Sequence, residues 1–390
     1  LAFLMVVSLI PVNSLMTKAN AASKTTFEGG KTVEDGTWKG WTWNVFGSST
    51  DVTKAFATDT GNGGVTLEVT GDKGKINGSA SDQGLNTFLY ELDKSYDFTI
   101  TAQAKVDTLA ANAQAAFGLT IRDNVGAHGN TAKLTADKNN FAFVGGYGNQ
   151  AASGHGNAGY KTTALAHTRL GESPEVGGTY DLAIQKVGDS VKLYFNGEVA
   201  AECSADDLIT DNAMYVGLFA ARNAKVTFNN VKLAYTQDSS SVKVTTNVTA
   251  PKKTTYCAGN TYEDVDLTGF KATVSVDGKE REITASDCVV DMSNDPFAEV
   301  TDAVKLNLLY LGQTIEVPIT VIKEVVSDMY IEYMPVKTDY MVTDTALDFT
   351  GLVGKVVYNS GRTFDLKTLI DSNDTNTKVS DVDFTTAGNK

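Results

Sequence analysis

Cysteine, histidine and proline are all scarce in this sequence, and the first two shortages limit the chemistry it can perform. There are three cysteines and three histidines in 390 residues, and no Cys-x-x-Cys or Cys/His spacing that would indicate a zinc site. Prolines number only 6, whereas glycines number 35. Together with abundant Thr, Ser, Asn and Asp, this composition favours short strands joined by turns, as in β-sandwiches.

Basic residues are also in short supply. The chain has 33 Lys and Arg against 47 Asp and Glu, which gives a net charge of −14 at pH 7. Nucleic acids and anionic membranes are bound through cationic side chains, so an acidic surface disfavours both. Polyanionic sugars are disfavoured as well, unless local cations or calcium override the net charge. We therefore expect no nucleic-acid partner.

Only one long apolar run is present, at residues 1–15. It is shorter than the ~20 residues that a membrane span needs, and it is interrupted by Pro11 and Asn13. The small-residue pattern 19–21 (Ala-Asn-Ala) follows it, as at the cleavage site of a secretory signal peptide. We interpret residues 1–21 as a signal peptide that lacks its first residues; a membrane anchor is the alternative. The mature chain is expected to be extracellular and free of membrane.

A segment of about 83 residues occurs twice. Its first copy contains Pro251–Tyr256 and Asp266–Gly269, and its second contains Pro335–Tyr340 and Asp348–Gly351. Such a repeat indicates one module used twice. We assign residues 242–323 to the first module and 325–390 to the second. Two strand-like runs close the first copy, at 303–311 and 313–322, and their counterparts would extend past Lys390. We therefore expect an incomplete second module in a fragment of a longer protein.

Two of the cysteines, Cys257 and Cys288, lie in the first repeat. Their equivalents in the second are Met341 and a position near Asp371, so both are replaced together. Joint replacement predicts a Cys257–Cys288 disulfide, which an exported protein could keep oxidised. Two unrelated buried thiols remain the alternative. Cys203 is expected to be a small buried residue.

Residues 25–236 read as strands throughout. Apolar and polar residues alternate, and pairs such as Asn196-Gly197 mark tight hairpin turns. One short helix is expected around 204–209. The predicted strands are Val65–Val69, Tyr96–Val106, Ala115–Arg122, Phe141–Tyr147, Thr179–Lys186, Ser190–Phe195, Met214–Arg222 and Lys225–Leu233.

Three stretches resemble known families. Residues 180–197 resemble the late strand pair of concanavalin A-like (laminin G-like) jelly rolls. Residues 215–233 are similar to the terminal strands of the sandwich module in secreted bacterial pectate lyases. The repeats, with their Tyr…Asp-x-Thr-Gly pattern, resemble bacterial Ig-like modules. These resemblances imply an all-β chain, with a jelly-roll sandwich at 25–236 followed by two Ig-like modules.

The same resemblances imply a function. The chain would be the non-catalytic accessory portion of a secreted polysaccharide-degrading enzyme, most plausibly a pectate lyase, and its jelly roll would bind pectin-like plant cell-wall polysaccharide. We expect a monomer. Two alternatives remain open. One is a bacterial cell-surface adhesin with an Ig-like stalk, and the other is a jelly-roll glycosidase or lyase with an unrecognised site.

Catalytic residues are not recognisable. Retaining laminarinase-type enzymes carry Glu-x-Asp-x-x-Glu on one strand. Here Glu91 and Asp93 match, but Tyr96 occupies the position of the last carboxylate. His128 and His155 lie in Gly- and Asn-rich loops and are expected to be solvated. We therefore predict no catalytic residues.

Ligand binding requires less: aromatic rings to cover a sugar face and planar polar groups to bind its hydroxyls or carboxylates. In Phe117–Arg122 the apolar side chains are 117, 119 and 121, so Arg122 should point to the opposite, concave and open face. Structural ion pairs, for example with Asp123 or Glu172, are the alternative for the arginines. For the tryptophans we favour core packing. The candidate ligand residues are Arg122, Tyr147, Arg169, Arg222, Trp41 and Trp43.

No cofactor or metal ligand is predicted with a defined motif. Calcium is the one candidate ion, because Glu28 could approach Asn229 or Asn230 on the closing strand and supply oxygen ligands.

Overall fold

The computed structural model describes residues 25–48, 50–76, 83–111, 114–134, 139–148, 150–156, 166–171 and 173–372. The predicted signal peptide lies outside the described residues. The chain divides into two compact units, residues 1–237 and 238–390. The finer domain boundaries stay predictions. No helix among the described residues is long and apolar enough to cross a membrane.

The first unit is a two-layer antiparallel sandwich. Its elements are β1 Thr25–Thr26, β2 Trp41–Phe46, β3 Ala55–Asp59, β4 Val65–Val69, β5 Leu85–Asp93, β6 Asp97–Leu109, β7 Ala116–Arg122, β8 Phe141–Tyr147, β9 Gln150–Gly156, β10 Ala166–Arg169, β11 Thr179–Val187, β12 Ser190–Phe195, β13 Glu198–Ser204, α1 Ala205–Leu208, β14 Ala213–Ala221 and β15 Ala224–Thr236. One sheet has the order β1-β3-β4-β15-β6-β11-β12-β13, and the other β10-β9-β8-β7-β14-β5-β2. The prediction of an all-β chain that begins with a jelly-roll sandwich is confirmed.

Strand alternation builds the core between the sheets. On β7, Phe117, Leu119 and Ile121 are fully buried in this core, and β6 contributes a second alternating row at 98–106. The turn and the helix cap also follow from local sequence. The hairpin between β12 and β13 has φ of 48° at Asn196 and 84° at Gly197, as the Asn-Gly pair predicts. Helix α1 starts at the Ser204 cap, whose side chain accepts a hydrogen bond from the amide of Asp207.

The second unit contains both repeats. Its elements are β16 Lys243–Thr249, β17 Thr255–Cys257, β18 Lys271–Val276, β19 Lys279–Thr284, β20 Val289–Asp291, β21 Thr301–Tyr310, β22 Gln313–Ile322, β23 Val326–Tyr333, β24 Val353–Tyr358, β25 Thr363–Asp365 and α2 Leu366–Asp371. The first repeat forms the sheets β16-β18-β19 and β17-β22-β21-β20, and the second forms β23-β24-β25. The expected counterparts of β21 and β22 fall outside the described residues.

Matching contacts recur in the two repeats. The amide of Asp266 donates to the Tyr256 hydroxyl at 3.2 Å, and the amide of Asp348 donates to the Tyr340 hydroxyl at 2.8 Å. A lysine Nζ lies 4.5 Å from the ring centroid of each tyrosine, from Lys253 in the first copy and from its counterpart in the second. The sequence repeat therefore encodes a repeated local structure.

The predicted disulfide is wrong. All three cysteines are free thiols. Cys257 ends β17 and Cys288 directly precedes β20, and two strands lie between β17 and β20 in their sheet. At about 4.8 Å per strand the two residues are at least about 14 Å apart across the sheet, and the strand register separates them further along it. A disulfide needs Cα atoms within about 7 Å. Cys288 instead donates to the Thr284 carbonyl at 3.6 Å. Cys203 is half-buried.

Candidate functional site

The outer face of the seven-stranded sheet, which points away from the core, is covered by a loop. Residues 123–134, here called the strap, leave the end of β7 and reach β2, three strands away in the sheet. There the side-chain amide of Asn44 donates to the Gly126 carbonyl at 2.5 Å. Val125 and Leu134 of the strap pack on the apolar residues of the outer face. The concave face is therefore roofed rather than open.

Arg122 lies under the strap, and the expectation that it is accessible is wrong. Alternation does place it on the outer face, but its exposed fraction is 0%. Its Nη2 donates to Gln83 Oε1 at 2.5 Å and to Asn139 Oδ1 at 3.0 Å. Its Cζ lies 5.0 Å from the ring centroid of Phe141 and 5.6 Å from that of Phe46. Burial lowers the pKa of Arg122 to about 10. In this conformation the guanidinium cross-links loop residues through hydrogen bonds and does not reach solvent.

Asp123, at the root of the strap, is a buried carboxylate that the sequence interpretation considered only as an ion-pair partner. Its Oδ1 accepts the amide of Asn140 at 3.0 Å, and its Oδ2 accepts the Thr210 hydroxyl at 3.3 Å. Burial raises the pKa of Asp123 to about 6, although the charge of Arg122 and these hydrogen bonds oppose the rise. Its carboxyl group is therefore poised to titrate just below neutral pH.

Tyr147 and Arg169 are brought together at one edge of the same sheet. The Arg169 guanidinium carbon lies 5.8 Å from the Tyr147 ring centroid, and its Nη1 donates to the Tyr147 carbonyl at 3.2 Å. Arg169 is exposed and Tyr147 is half-buried. Burial raises the pKa of Tyr147, and the charge of Arg169 opposes that rise. The pair presents an aromatic ring and a cation at an accessible position.

The structure does not bring the candidate residues Arg122, Tyr147, Arg169 and Arg222 together in one site. Tyr147 pairs with Ala116 at the start of β7. Ala221, at the end of β14, pairs with the same Ala116, and Arg222 directly follows it. Arg122 is six residues further along β7, roughly 20 Å away at about 3.4 Å per residue. The Nε of Arg222 donates to the Gly74 carbonyl at 3.2 Å. The predicted site is thus divided between two ends of the sheet.

Trp41 and Trp43 lie in the core, as the favoured interpretation had it. Trp41 stacks on Phe88, with ring centroids 5.3 Å apart and an interplanar angle of 15°. The Trp43 indole N–H donates to Asn86 Oδ1 at 2.7 Å, and its ring meets His128 edge-on at 5.0 Å. His128 is therefore packed against the strand rather than solvated as expected. Neither indole offers a face for a sugar in this conformation.

The candidate catalytic and calcium-binding residues show no shared site. Glu91 and Asp93 are exposed at the end of β5, and Tyr96 packs on Tyr235 with ring centroids 5.5 Å apart. Glu28 pairs with Lys31 at 2.6 Å.

The side-chain amide of Asn230 donates to Gln103 Oε1 at 2.8 Å. In the described ranges no group of three or more His, Cys, Asp and Glu side chains could hold a metal ion. Calcium binding therefore stays a prediction without a defined ligand set.

Comparison with known proteins gives one curated relative. No family model matches the sequence. The chain is 29% identical over 327 residues to pectate lyase L of Thermoclostridium stercorarium, in an alignment that covers 82% of this chain and 24% of that protein. The chain thus spans less than a third of the length of the relative it matches.

Solved structures give distant likenesses. A carbohydrate-binding module from Bacillus subtilis is 18% identical and covers 53% of this chain and 98% of its own, with a TM-score of 0.32. Lectin II from Ulex europaeus is 9% identical and covers 54% and 98%, with a TM-score of 0.33. The catalytic domain of a laminarinase from Thermotoga petrophila is 12% identical and covers 54% and 94%, with a TM-score of 0.32.

Proposed function

We propose that the first unit binds acidic polysaccharide, and that the chain is the non-catalytic accessory portion of a secreted pectate lyase-like enzyme. The similarity to a pectate lyase over 82% of the chain supports the kind of parent protein. The observation that carries the binding role is the pair of half-buried Tyr147 and exposed Arg169 at the edge of the seven-stranded sheet. The repeats of the second unit would then be Ig-like spacers.

The chemistry of the pair suits a uronate sugar. A guanidinium binds a carboxylate with two parallel hydrogen bonds, and an aromatic ring covers the apolar face of a sugar. Among the described residues, no carboxylate lies within 4 Å of the Arg169 guanidinium, so no described ion pair neutralises its charge. A local cation of this kind offsets the acidic character of the chain as a whole.

Calorimetric titration of the full chain with tri-galacturonate tests the proposal. We expect binding, and we expect Arg169→Lys to weaken it about tenfold, because an ammonium cannot make the two-pronged contact. Lys105→Gln is the matched control: Lys105 is an exposed cation on β6, in the other sheet, and its loss should leave the affinity unchanged. Absence of binding by the wild-type chain, or equal binding by Arg169→Lys, would contradict the proposal.

A further inference from the structure

The strap is held to β2 by a short row of hydrogen bonds along the free edge of that strand. The amide of Gly129 donates to the Val45 carbonyl at 2.8 Å, and the amide of Gly47 donates to the Asn130 carbonyl at 2.9 Å. Between them, the amide of Val45 donates to a side chain, Nδ1 of His128, at 3.2 Å. One of the hydrogen bonds that hold the strap to β2 is therefore made by a titratable side chain.

Unsatisfied polar atoms occur along the length of the strap. In the described part of the chain, four buried side-chain atoms lack a hydrogen-bond partner, and three belong to Asn44, Arg122 and Asn140. Asn44 bonds the strap, Arg122 lies under it, and Asn140 pairs with its first residue. A buried polar atom without a partner costs about 1–3 kcal/mol. The closed strap is thus less favourable than its apolar packing alone would suggest.

We propose that the outer face under the strap is a second, latent binding site for carboxylated sugar, centred on Arg122, and that it opens when His128 releases the edge of β2. This inference rests on the proposed polysaccharide-binding function. The unpartnered Nη1 of Arg122 supplies the donor for a carboxylate, and the phenyl rings of Phe46 and Phe141 beside the guanidinium supply apolar surface for a sugar ring.

The side chain of His128, here called the latch, is packed tightly and holds the strap to β2 through its hydrogen bond to Val45. Its ring fills the space beside a glycine turn: a Cβ on Gly29 would lie 2.1 Å from the histidine Nε2, and one on Gly30 would lie 2.9 Å from its Cβ. Nδ1 can accept the amide of Val45 only while it carries no proton. Protonation removes that bond, and its loss favours the open strap.

The charged groups near the His128 ring do not override the effect of its own protonation on the strap. On the glycine turn packed against it, Glu28 and Lys31 pair with each other at 2.6 Å. On β2 the neighbours of the ring are Trp43 and Val45, which carry no charge. Burial lowers the pKa of His128 from its ordinary value of 6.5. The latch therefore contributes fully above pH 6.5 and weakens as the pH falls below it.

Asp123 at the root of the strap titrates with the opposite sign, because burial raises its pKa to about 6. Protonation of Asp123 favours the closed structure, whereas protonation of His128 favours the open one. The pH profile of the wild-type chain alone therefore mixes two effects. A His128 variant separates them, since it removes the latch and leaves Asp123 in place.

Amide hydrogen exchange in the full chain tests the latch without any ligand. The amides of Val45 and Gly47 face the strap. By strand alternation the amides of Thr42, Asn44 and Phe46 face β5, and they serve as internal references. We expect His128→Ala at pH 7.5 to speed exchange at these two amides about tenfold, and the wild type to approach that behaviour at pH 5. Ala127→Ser, at an exposed neighbour in the strap, should change nothing. Unchanged exchange in His128→Ala would overturn the latch.

Binding of tri-galacturonate then tests the latent site. In His128→Ala at pH 7.5, the side-chain NMR signal of Arg122 should shift on titration, and this shift should persist when Arg169→Lys is added. The wild type should show it at pH 5 but not at pH 7.5; a carboxylate of ordinary pKa is still ionised at pH 5. An open strap with no shift at Arg122 would overturn the latent site alone, whereas loss of all binding in the wild type at both pH values would overturn the proposed function.

Discussion

The two faces of the seven-stranded sheet are both buried, but by different means. The inner face packs on a second sheet, and its side chains, among them Phe88 and Leu119, are apolar. The outer face has an apolar cluster that includes Phe143 and Phe219. Polar Arg122 lies beside this cluster, and loops such as the strap, rather than a second sheet, cover the face.

A sheet covers its neighbour through many continuous contacts, whereas a loop covers it through a few. We therefore expect the inner face to open only with global unfolding, whereas the opening that we propose for the outer face is local. The comparison teaches that burial of a strand face does not by itself distinguish a core from a site that is temporarily closed.

The largest expected effect compares one phenylalanine from each face. We expect Phe88→Ala and Phe143→Ala each to lower the free energy of unfolding by about 3–5 kcal/mol, since both side chains are fully buried. Urea unfolding followed by tryptophan fluorescence measures this in the first unit, because the three tryptophans of the chain all lie within residues 38–43. A cost below about 1 kcal/mol for Phe143→Ala would mean that the outer face is open.

Arg122→Lys should have the next largest effect. Lysine cannot make the bonds of the guanidinium to Gln83, Asn139 and the Asn124 carbonyl together, so buried acceptors lose their donors. We expect a loss of about 2 kcal/mol in the same fluorescence assay. Arg169→Lys is the control and should leave stability nearly unchanged because that side chain is exposed. Equal stabilities of the two variants would show that Arg122 does not hold the strap region together.

The smallest expected effect is a dependence on pH. The pKa of Asp123 is raised to about 6 in the folded state from an ordinary value of 3.8. Between these values the folded state keeps a proton that the unfolded state releases, so stability falls by about 2 kcal/mol as the pH rises from 4 to 6.

The variant Asp123→Asn should remove this component, which is read as the difference between the two pH profiles from urea unfolding. Asp51→Asn should change the profile in the opposite direction, because hydrogen bonds from Thr53 lower the pKa of Asp51. A wild-type profile identical to that of Asp123→Asn would mean that the carboxylate is solvated and that the root of the strap is open.

Much of the fold was predictable from local pattern. The strands Val65–Val69, Phe141–Tyr147 and Ser190–Phe195 have the predicted bounds, and the Asn-Gly hairpin has the expected positive φ values. Alternation also assigned Arg122 to the correct face of β7. These features depend on neighbours in sequence, which is why the residues alone reveal them.

The candidate site was less predictable, because its members come from distant segments. The segment containing His128 looks like an ordinary Gly- and Asn-rich loop, and nothing local shows that its ring fits the turn at Gly29 and Gly30. The failed disulfide has the same origin: the joint replacement of Cys257 and Cys288 indicated proximity, but strand order separates them. Sequence spacing gives no information about such order.

The sequence by itself determined many of the strands and turns, the repeat and the face of β7 on which Arg122 lies, because alternation and turn chemistry act over a few residues. Only the tertiary structure decided what covers each face. The strap crosses three strands to reach β2, and that path buries Arg122, raises the pKa of Asp123 and seats His128 against Val45. Burial depends on chain segments that are far apart in sequence, so no local pattern could supply it.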